Sequence, residues 1–361
     1  MQQNFWKNKK VLVTGHTGFK GSWLCQWLIM MGAQVTGIGL EPETSPSMYH
    51  ALGYHNVLDS RIMDIRNYEL VQQVFREKQP EIVFHLAAQP IVRTSYEQPI
   101  LTYETNVMGT VSVLDAVRHC EKVKAVVNVT TDKVYENQEW CWGYRENDRL
   151  NGYDPYSNSK SCSELVTSSY VKSYFNPEDY KKNHTTAVAT ARAGNVIGGG
   201  DWAKDRIVPD CIRAIEKQTP VVLRNPGAIR PWQHVLEPLN GYLTLAEKLY
   251  EEGVDYNGAY NFGPDSTDVI PVKELVQKLM KYYNKRTEIQ IQESGLHEAN
   301  TLKLDCAKAK NILKWKPLMD VDAALQLTAQ WYAACHQEKM VTEYTQKQIA
   351  LYLNGAENEN K

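Results

Sequence analysis

Short apolar runs alternate with amphipathic stretches along the first half of the chain. The runs are rich in valine, isoleucine and leucine, which is typical of strands buried on both faces of a parallel sheet. The strands predicted in this way cover residues 11–13, 34–38, 81–86, 125–129 and 187–190. The helices predicted between them cover residues 22–31, 68–77, 100–119 and 155–175. The alternation predicts an α/β protein with a Rossmann-type doubly wound parallel sheet.

The pattern changes beyond Arg192, where glycine and proline break the chain into short pieces. Residues 232–263 return to a strand–helix–strand pattern, and further helices are predicted at 271–283, 320–338 and 342–353. We therefore predict two interleaved domains. A dinucleotide-binding domain comprises residues 1–193 and about 232–263, and a smaller C-terminal substrate-binding domain comprises residues 194–231 and about 264–355.

Composition narrows the class of protein. The 361 residues include 40 basic and 42 acidic side chains, a formal net charge of −2, which argues against a nucleic-acid or anionic-membrane surface. No apolar run reaches the length of about eighteen residues that a membrane span needs. The seven cysteines are odd in number and lack CxxC spacing, so neither a metal site nor a disulfide framework is predicted. These features favour a soluble cytoplasmic protein.

The segment GHTGFKG, residues 15–21, follows the first predicted strand and opens the first predicted helix. Gly15 allows the tight turn, Gly18 allows close approach of a pyrophosphate, and Gly21 lets helix and strand pack closely. The helix N-terminus adds free N–H groups and a positive dipole end. A glycine turn without a ligand is the alternative, but the strand before and the helix after favour dinucleotide binding.

The acidic residue that usually hydrogen-bonds the adenosine ribose is missing. It is expected at the end of the second strand, where this chain has Gly39, with Glu41 slightly further along. No arginine stands there to hold a 2′-phosphate, which favours NAD over NADP. Asp64 and the following isoleucine are candidates for contact with the adenine, and a helix N-cap before Arg66 is an equal alternative for this aspartate.

Tyr156 and Lys160 lie four residues apart on a predicted helix, hence on one face. An ordinary exposed pair is the alternative, but the position downstream of the phosphate turn favours a proton-transfer pair. The lysine ammonium and an oxidised nicotinamide should lower the pKa of the tyrosine phenol toward working pH. The phenolate can then accept a hydroxyl proton while a hydride leaves the same carbon.

A second group of reactive side chains, Thr131, Asp132 and Lys133, directly follows the predicted strand 125–129 and Thr130. Ligands of an open parallel sheet bind beyond the carboxyl ends of its strands. The three side chains can supply a hydrogen bond, an acid and a base at that place. An aspartate–lysine turn without a catalytic role is the alternative, and the position relative to the other motifs favours catalysis.

With these motifs the chain resembles the extended short-chain dehydrogenase/reductases that act on nucleotide sugars. Thr131-Asp132-Lys133 looks like the Thr-Asp-Glu triad of the nucleoside-diphosphate-hexose 4,6-dehydratases, with lysine in place of glutamate. Residues 15–23, 192–202 and 230–235 resemble the subgroup that acts on CDP-glucose, which also has this lysine.

The resemblance implies a redox-neutral lyase reaction. Tyr156 removes the C4 hydroxyl proton, Thr131 holds that oxygen, and hydride passes to NAD. The ketone acidifies C5–H, Asp132 protonates the departing C6 hydroxyl, and hydride returns to C6. Lys133 is either the C5 base or a cation that stabilises the enolate. The products are CDP-4-keto-6-deoxyglucose and water. The sugar nucleotide is an intermediate of deoxysugar biosynthesis of the lipopolysaccharide O-antigen type.

Binding residues complete the prediction. The implied cofactor-binding set is Gly15, Thr17, Gly18, Phe19, Lys20, Gly21, Asp64, Ile65, Leu86, Ala87, Ala88, Asn106, Thr130, Tyr156 and Lys160. The implied substrate-binding set is Gln89, Thr131, Asn195, Arg206, Arg224, Arg230 and His234. A solvated surface charge is the alternative for each arginine, and a structural role is an equal alternative for His234. The helices carrying Asn106 and Tyr156 are expected to form a four-helix bundle with a second subunit, giving a homodimer or homotetramer.

Two other functions remain open. A 4-epimerase or a dehydratase for another nucleotide sugar would share the fold, although an epimerase needs no acid such as Asp132. A non-catalytic NAD-sensing protein would keep the glycine turn but would not need Tyr156, Lys160 and Thr131.

Overall fold

The computed structural model describes residues 3–54, 57–265, 269–292, 302–335 and 341–359. Its strands in chain order are β1 Lys10–Thr14, β2 Gln34–Gly39, β3 Asp59–Ile62, β4 Ile82–His85, β5 Ala125–Val129, β6 Ala187–Ala193, β7 Val196–Ile197, β8 Val221–Leu223, β9 Ile229–Pro231, β10 Gln233–His234, β11 Gly258–Phe262, β12 Val269–Pro271 and β13 Ile289–Ile291. Its helices are α1 Phe19–Met30, α2 Met48–Leu52, α3 Tyr68–Lys78, α4 Val92–Glu97, α5 Pro99–Tyr103, α6 Gly109–Arg118, α7 Pro155–Tyr174, α8 Ile207–Lys217, α9 Leu236–Glu252, α10 Val272–Tyr283, α11 Val321–Cys335 and α12 Val341–Glu359.

The central sheet has seven parallel strands within the described residues, in the order β11-β6-β5-β4-β1-β2-β3. The chain runs outward from β1 to β3, then returns to β4 beside β1 and runs outward on the other side. The order therefore reverses between β1 and β4, and ligands of such sheets bind at this switch point. The predicted Rossmann-type fold and the return of residues 232–263 to the sheet through β11 are confirmed.

Helices cover both faces of the sheet. On one face Trp23 of α1 and Leu243 of α9 lie in a fully buried apolar cluster. On the other face Phe75 of α3 and Val117 of α6 occupy a second cluster. Because both faces are buried, most positions of the inner strands are apolar, which is why these strands form nearly continuous apolar runs in the sequence.

Two features of the central sheet and its helices differ from the sequence prediction. The helix predicted at 100–119 is α5, a π-helical turn at Glu104–Met108 and α6 in direct succession. Strand β3 was not predicted, because its sequence is polar and its residues are only partly buried at the edge of the sheet. An edge strand needs no continuous apolar run and so leaves little signal in the sequence.

Smaller elements stand beside the carboxyl ends of the strands. β7 pairs with β10, β9 with β12 and β8 with β13, each as a two-stranded ladder. Helix α12 lies in the segment that we assign to the substrate domain, yet it packs on α1, where the ring centroids of Trp27 and Tyr352 lie 5.7 Å apart in an edge-to-face arrangement. The division into two domains stays a prediction.

Among the residues just described, no helix is long and apolar enough to span a membrane. Over the same residues, no group of three histidine, cysteine or acidic side chains is arranged to hold a metal ion.

Candidate active site

Two adjoining cavities open at the carboxyl ends of the strands in the described part of the chain. The smaller, of about 250 Å³, is lined by the residue 15–21 turn and the ends of β2 and β4, and we refer to it as the cofactor cleft. The larger, of about 800 Å³, extends from the end of β5 to α8 and β8, and we refer to it as the substrate cavity. Lys20, Thr130, Tyr156 and Arg206 line both cavities, so they mark the junction.

The glycines of the turn shape the cofactor cleft. Gly15 has a φ of +73°, and a Cβ there would lie 2.7 Å from the Ala87 backbone nitrogen. A Cβ on Gly21 would overlap the Gly15 carbonyl, so this glycine lets α1 pack closely against the turn. Gly18 has only one neighbour near its Cβ position, at 3.4 Å, and it begins α1 without a side-chain cap. Uncapped N–H groups beside an open glycine face form a suitable cradle for a pyrophosphate.

Most of the predicted cofactor residues meet in this cleft. Its lining includes all of the predicted set except Asn106: Gly15, Thr17, Gly18, Phe19, Lys20, Gly21, Asp64, Ile65, Leu86, Ala87, Ala88, Thr130, Tyr156 and Lys160.

The backbone at Gly39, where the acidic residue is missing, lies close to His16. The ring of His16 lies against the end of β2, where a Cβ on Gly37 would overlap it and a Cβ on Gly39 would lie 3.3 Å from its Nδ1. The His16 Nε2 and the Ser60 Oγ are 2.6 Å apart, which fixes the ring. A side chain at position 39 would therefore require His16 to shift by a few tenths of an ångström. Glu41 lines the cleft further along the loop.

Asp64 lines the cofactor cleft but is not a helix cap. Its carboxylate accepts the backbone N–H of Arg66 at 2.8 Å and side-chain N–H groups of the same arginine at 2.7 and 2.9 Å. The N-cap of α3 is Asn67, whose side chain accepts the Leu70 N–H. The N-cap alternative for Asp64 is therefore wrong, and the predicted adenine contact stays a prediction.

Two predicted ligand contacts are corrected by the structure. Asn106 is buried, its Oδ1 accepts the Gln89 N–H at 2.8 Å, and its Nδ2 donates to the Ser159 hydroxyl at 2.9 Å. The Gln89 amide is equally engaged, since Nε2 donates to Thr102 and Oε1 accepts the Ile91 N–H. Neither side chain lines the cofactor cleft or the substrate cavity. Together the two side chains hold the segment after β4 against α7.

Helix α7 presents the predicted proton-transfer pair. Asp154 caps the helix by accepting the Ser157 N–H at 2.9 Å, and Pro155 occupies the first helical position, so Tyr156 lies in the first turn. One turn further along, the Lys160 ammonium donates to the Val129 carbonyl at 2.9 Å. Both side chains therefore point toward the end of β5.

Burial has the largest effect on the pKa of Tyr156. Burial raises this pKa above its usual range, while the Lys133 cation and a hydrogen bond with Thr131 partly oppose that effect. The predicted lowering requires a bound oxidised nicotinamide as well as Lys160, so it stays a prediction. Burial also lowers the pKa of Lys160 to about 8 and, aided by Arg206 and other cations, lowers the pKa of Lys20 to about 7.

The Thr131-Asp132-Lys133 group forms a compact cluster after β5. Asp132 Oδ1 accepts hydrogen bonds from the Thr131 hydroxyl and the Lys133 ammonium, each at 3.0 Å. The Asp132 side chain is fully buried, and its Oδ2 has no hydrogen-bond partner among the residues that the structure describes. Gly194 leaves room for this oxygen, since a Cβ there would lie 2.9 Å from it. Thr131 and Lys133 line the substrate cavity, with the carboxyl behind them.

Three predicted arginines and Asn195 line the substrate cavity. Arg206 donates to Asp201 at 2.9 Å, Arg224 donates to Asp205 at 2.6 Å, and Arg230 donates to the Ile229 carbonyl at 3.0 Å. The guanidinium groups thus already have partners, which orient them at the cavity wall.

Sequence reasoning missed Arg93, which lines the same cavity from α4. Its Nε lies 3.5 Å from the Asp205 Oδ1 atom that also accepts from Arg224. No motif surrounds Arg93, although its position in the segment after β4, close to the switch point, is a signal that could have identified it.

The surroundings of His234 favour the predicted structural role over the role as a ligand. It is fully buried, and its ring lies 6.0 Å from that of Trp23 at nearly a right angle. Burial lowers its pKa to about 3, so the ring is neutral at physiological pH. Its position is outside the lining of both cavities.

A family model described as GDP-mannose 4,6 dehydratase matches residues 12–328. The chain belongs to this family. It is 48% identical to CDP-glucose 4,6-dehydratase of Salmonella typhimurium over 356 residues, which cover 98% of this chain and 99% of that relative. It is 25% identical to dTDP-glucose 4,6-dehydratase of Shigella flexneri, with 90% of this chain and 93% of the relative covered.

Solved structures of the same fold agree with this membership. UDP-glucose 4-epimerase of Thermotoga maritima superposes with a TM-score of 0.78 at 21% identity, covering 90% of this chain and 99% of that chain. DesIV, a dTDP-glucose 4,6-dehydratase of Streptomyces venezuelae with NAD and DAU bound, gives 0.77 at 21% identity, covering 90% and 97%. At these identities the similarity establishes the Rossmann-type fold of the family.

Proposed function

We propose that the chain is a CDP-glucose 4,6-dehydratase, which converts CDP-D-glucose to CDP-4-keto-6-deoxy-D-glucose and water. The observation that carries this proposal is the placement of Thr131, Asp132 and Lys133 beside Tyr156, at the junction of a pyrophosphate cradle and a cavity lined by arginines. The 48% identity over nearly the whole length of the named relative supports the same substrate.

The cofactor cleft fits NAD. The backbone around Gly15 and Gly18 would hold the pyrophosphate at the start of α1, and Lys160 would hold the nicotinamide ribose. When bound, NAD supplies a hydride acceptor for the first half of the reaction and a hydride donor for the second. Because Gly39 carries no side chain, recognition of the adenosine ribose falls to the loop that contains Glu41.

Tyr156 and Thr131 act on the C4 hydroxyl. Their side chains are hydrogen-bonded to each other, so one substrate oxygen can contact both. The tyrosine takes the hydroxyl proton as general base, and the threonine holds the oxygen in place. Lys160, anchored on the Val129 carbonyl, provides the positive charge that favours the phenolate.

Asp132 and Lys133 act at C6 and C5. Oδ1 of Asp132 is occupied by two donors, so the partnerless Oδ2 is the oxygen suited to carry the proton for the C6 hydroxyl. Lys133 faces the cavity beside it and either removes the C5 proton or stabilises the enolate as a cation. The neighbouring ammonium and carboxyl groups place acid and amine on the same side of the sugar.

The arginines suit the diphosphate of a nucleotide sugar. Arg206, Arg224 and Arg230 contribute from three separate segments of the cavity wall, and guanidinium groups bind phosphate oxygens in a bidentate manner. The choice of cytosine rests on the similarity to the named relative.

We also propose a homodimer, with a homotetramer as the alternative, formed through α5 to α7. Support comes from apolar side chains exposed on these helices: Ile100 is 74%, Met108 54% and Leu165 58% exposed. We place the reaction in the cytoplasm, as a step of deoxysugar biosynthesis of the O-antigen type. The seven cysteines, all within described segments, are free thiols, which fits a reducing compartment.

The proposed function is tested by a substrate panel. The protein is incubated with NAD and, separately, with CDP-, dTDP-, UDP- and GDP-glucose, and the products are identified by mass spectrometry. We expect loss of one water from CDP-glucose, with much slower turnover of the other three. Preference for another nucleotide would reassign the substrate, and interconversion of isomers without water loss would indicate an epimerase.

A further inference from the structure

A buried ion pair lies directly behind the proton-transfer pair. Glu164 follows Lys160 by one helical turn and Tyr156 by two, so the three side chains form one stripe along α7. The partner of Glu164 is Arg192 on β6, and each of the two side chains is only 4% exposed. Neither residue lines the cofactor cleft or the substrate cavity.

The Glu164 carboxylate accepts four hydrogen bonds. Its Oε1 accepts from the Thr130 hydroxyl at 2.5 Å and from Arg192 Nε at 2.8 Å. Its Oε2 accepts from the Thr190 hydroxyl at 2.7 Å and from Arg192 Nη2 at 2.9 Å. The donors belong to the residue after β5 and to β6, so one carboxylate ties α7 to the ends of two neighbouring strands.

Arg192 extends the network toward the substrate cavity. Its Nη1 donates to the Tyr135 hydroxyl at 2.7 Å and to the Glu146 carbonyl at 3.0 Å. Tyr135 in turn donates to Asn261 at 2.7 Å, and its ring lines the substrate cavity. The network thus reaches both sides of the Thr131-Asp132-Lys133 group, through Thr130 before it and Tyr135 after it.

Stability alone does not explain such a pair. Burying two charges has a large desolvation cost, and well-packed apolar residues of similar volume often stabilise a fold equally well. The directional hydrogen bonds of a carboxylate and a guanidinium, in contrast, specify the relative position of the groups that they join. Here the hydrogen bonds join α7, which carries Tyr156 and Lys160, to Thr130, which directly precedes the Thr131-Asp132-Lys133 group.

We propose that Glu164 is a positioning residue for the dehydratase: paired with Arg192, it fixes α7 on the ends of β5 and β6 and places a carboxylate one helical turn from Lys160. The inference rests on the proposed function, because it assigns a task to the Tyr156–Lys160 pair of that reaction.

The charges around Lys160 support this role. On its own helix Glu164 favours the ammonium form, whereas burial lowers the pKa of Lys160 to about 8. On α1 the charge of Lys160 helps to lower the pKa of Lys20 to about 7, so Lys20 is mostly neutral where Lys160 titrates. From β4 the neighbouring His85 is neutral, because burial lowers its pKa to about 3. Glu164 is therefore the carboxylate that opposes the effect of burial on Lys160.

The test replaces Glu164 with glutamine and follows the high-pH limb of kcat/KM for CDP-glucose. Loss of the carboxylate should lower the pKa of Lys160, so the limb should move down by about one pH unit. Because Glu164→Gln leaves Arg192 as an unpaired buried cation, the double variant Glu164→Gln/Arg192→Gln is measured as well, and the same downward movement is expected. Glu164→Asp, which keeps the charge but shortens the reach, should lower kcat while the limb stays in place.

Glu237→Gln provides a matched control. Glu237 is a fully buried carboxylate on α9 that accepts from Leu318, Met319 and Tyr352, and it lines neither the cofactor cleft nor the substrate cavity. It should lower the melting temperature without moving the pH limb. An unchanged limb in both Glu164→Gln variants, or an equal movement in Glu237→Gln, would overturn the proposal.

A second readout separates this inference from the proposed function. The affinity for NAD is measured by tryptophan fluorescence over about pH 6 to 10, without any sugar substrate. Wild-type affinity should weaken as Lys160 loses its proton, and in Glu164→Gln that weakening should begin at lower pH. If the wild type does not turn over CDP-glucose, the proposed function fails, and the NAD titration still decides on Glu164: coincident pH profiles of wild type and variant would refute its role.

Discussion

Burial sets the proton affinities of the side chains where the cofactor cleft joins the substrate cavity. It lowers the pKa of Lys20 to about 7 and that of Lys160 to about 8, and it raises that of Tyr156. Lysines with pKa values in this range change charge close to neutral pH, whereas exposed lysines do not. The reactivity of the site at this scale follows from desolvation, and neighbouring charges adjust it.

Lys133→Met should separate oxidation at C4 from loss of water. The substitution removes the amine that faces the cavity and the hydrogen bond to Asp132 Oδ1, while Tyr156 and Thr131 stay in place. We expect transient absorbance of reduced nicotinamide, with water loss and C5 exchange in deuterated solvent slowed at least about 100-fold. Lys172→Met, in the last turn of α7, is the control. Water loss at the wild-type rate would show that Lys133 only occupies space.

Lys20→Met should stabilise the fold in a pH-dependent manner. Below about pH 7 the wild type carries a partly buried ammonium between the two cavities, and this charge is better solvated in the unfolded chain. Above that pH the folded chain releases this proton before the unfolded chain does, so wild-type stability recovers toward the unfolded pKa of 10.5. The gain in melting temperature over the wild type should therefore be larger at about pH 6 than at about pH 9. A gain in melting temperature that is equal at both pH values would show that the Lys20 ammonium does not destabilise the fold.

At the scale of elements, the site is built where strands end and helices begin. The turn after β1 positions the N-terminus of α1, the turn after β5 carries the Thr131-Asp132-Lys133 group, and the cap of α7 places Tyr156 in its first turn. Each junction depends on local chemistry that is visible in the sequence, namely glycine, a capping aspartate and a helix-starting proline. This is why the turn, the catalytic helix and the strand-end motif were all predicted.

What the sequence did not reveal depends on contacts between distant residues. Asn106 and Gln89 bind each other instead of ligands, and the burial of Asp132 depends on room left by Gly194. Arg93 reaches the cavity only because α4 lies beside the segment that contains Asp205. No periodicity or motif encodes these approaches, so only the folded chain defines them.

Gly21→Ala tests the packing of the turn against α1. The added Cβ would overlap the Gly15 carbonyl, which is backbone and cannot move aside without breaking the turn. We expect destabilisation of about 2 kcal/mol or more and a loss of NAD affinity of at least about tenfold. Gly227→Ala is the matched control, since nothing within the described residues lies within 4 Å of its Cβ position. Calorimetry and NAD titration provide the measurements, and a variant that behaves like the control would refute the cradle.

At the scale of the whole molecule, the substrate cavity draws on both parts of the chain. Arg93 comes from the segment after β4, Arg224 follows β8, and the two meet on one oxygen of Asp205. A diphosphate bound between the guanidinium groups would compete with that carboxylate for the same donors. Binding of substrate is therefore coupled to the contact between these segments.

Arg93→Met should weaken substrate binding without changing the chemistry. Arg93 lines the cavity, and its Nε lies 3.5 Å from Asp205, which is not part of the Tyr156 and Asp132 cluster. Steady-state kinetics should show KM for CDP-glucose raised about tenfold, with kcat within about twofold of the wild type. Arg76→Met on the exposed surface of α3 is the control. A fall in kcat with unchanged KM would place Arg93 in the catalytic step instead.

The central claim is that one site oxidises C4, eliminates water and reduces C6 without releasing the intermediates. CDP-glucose that carries deuterium at C4 is converted in the presence of a catalytic amount of NAD, and the position of the label in the product is determined by NMR. We expect the deuterium from C4 at C6 of the CDP-4-keto-6-deoxyglucose formed from the same substrate molecule, with no net accumulation of NADH. Loss of the label to solvent, or one NADH formed for each product, would contradict this claim.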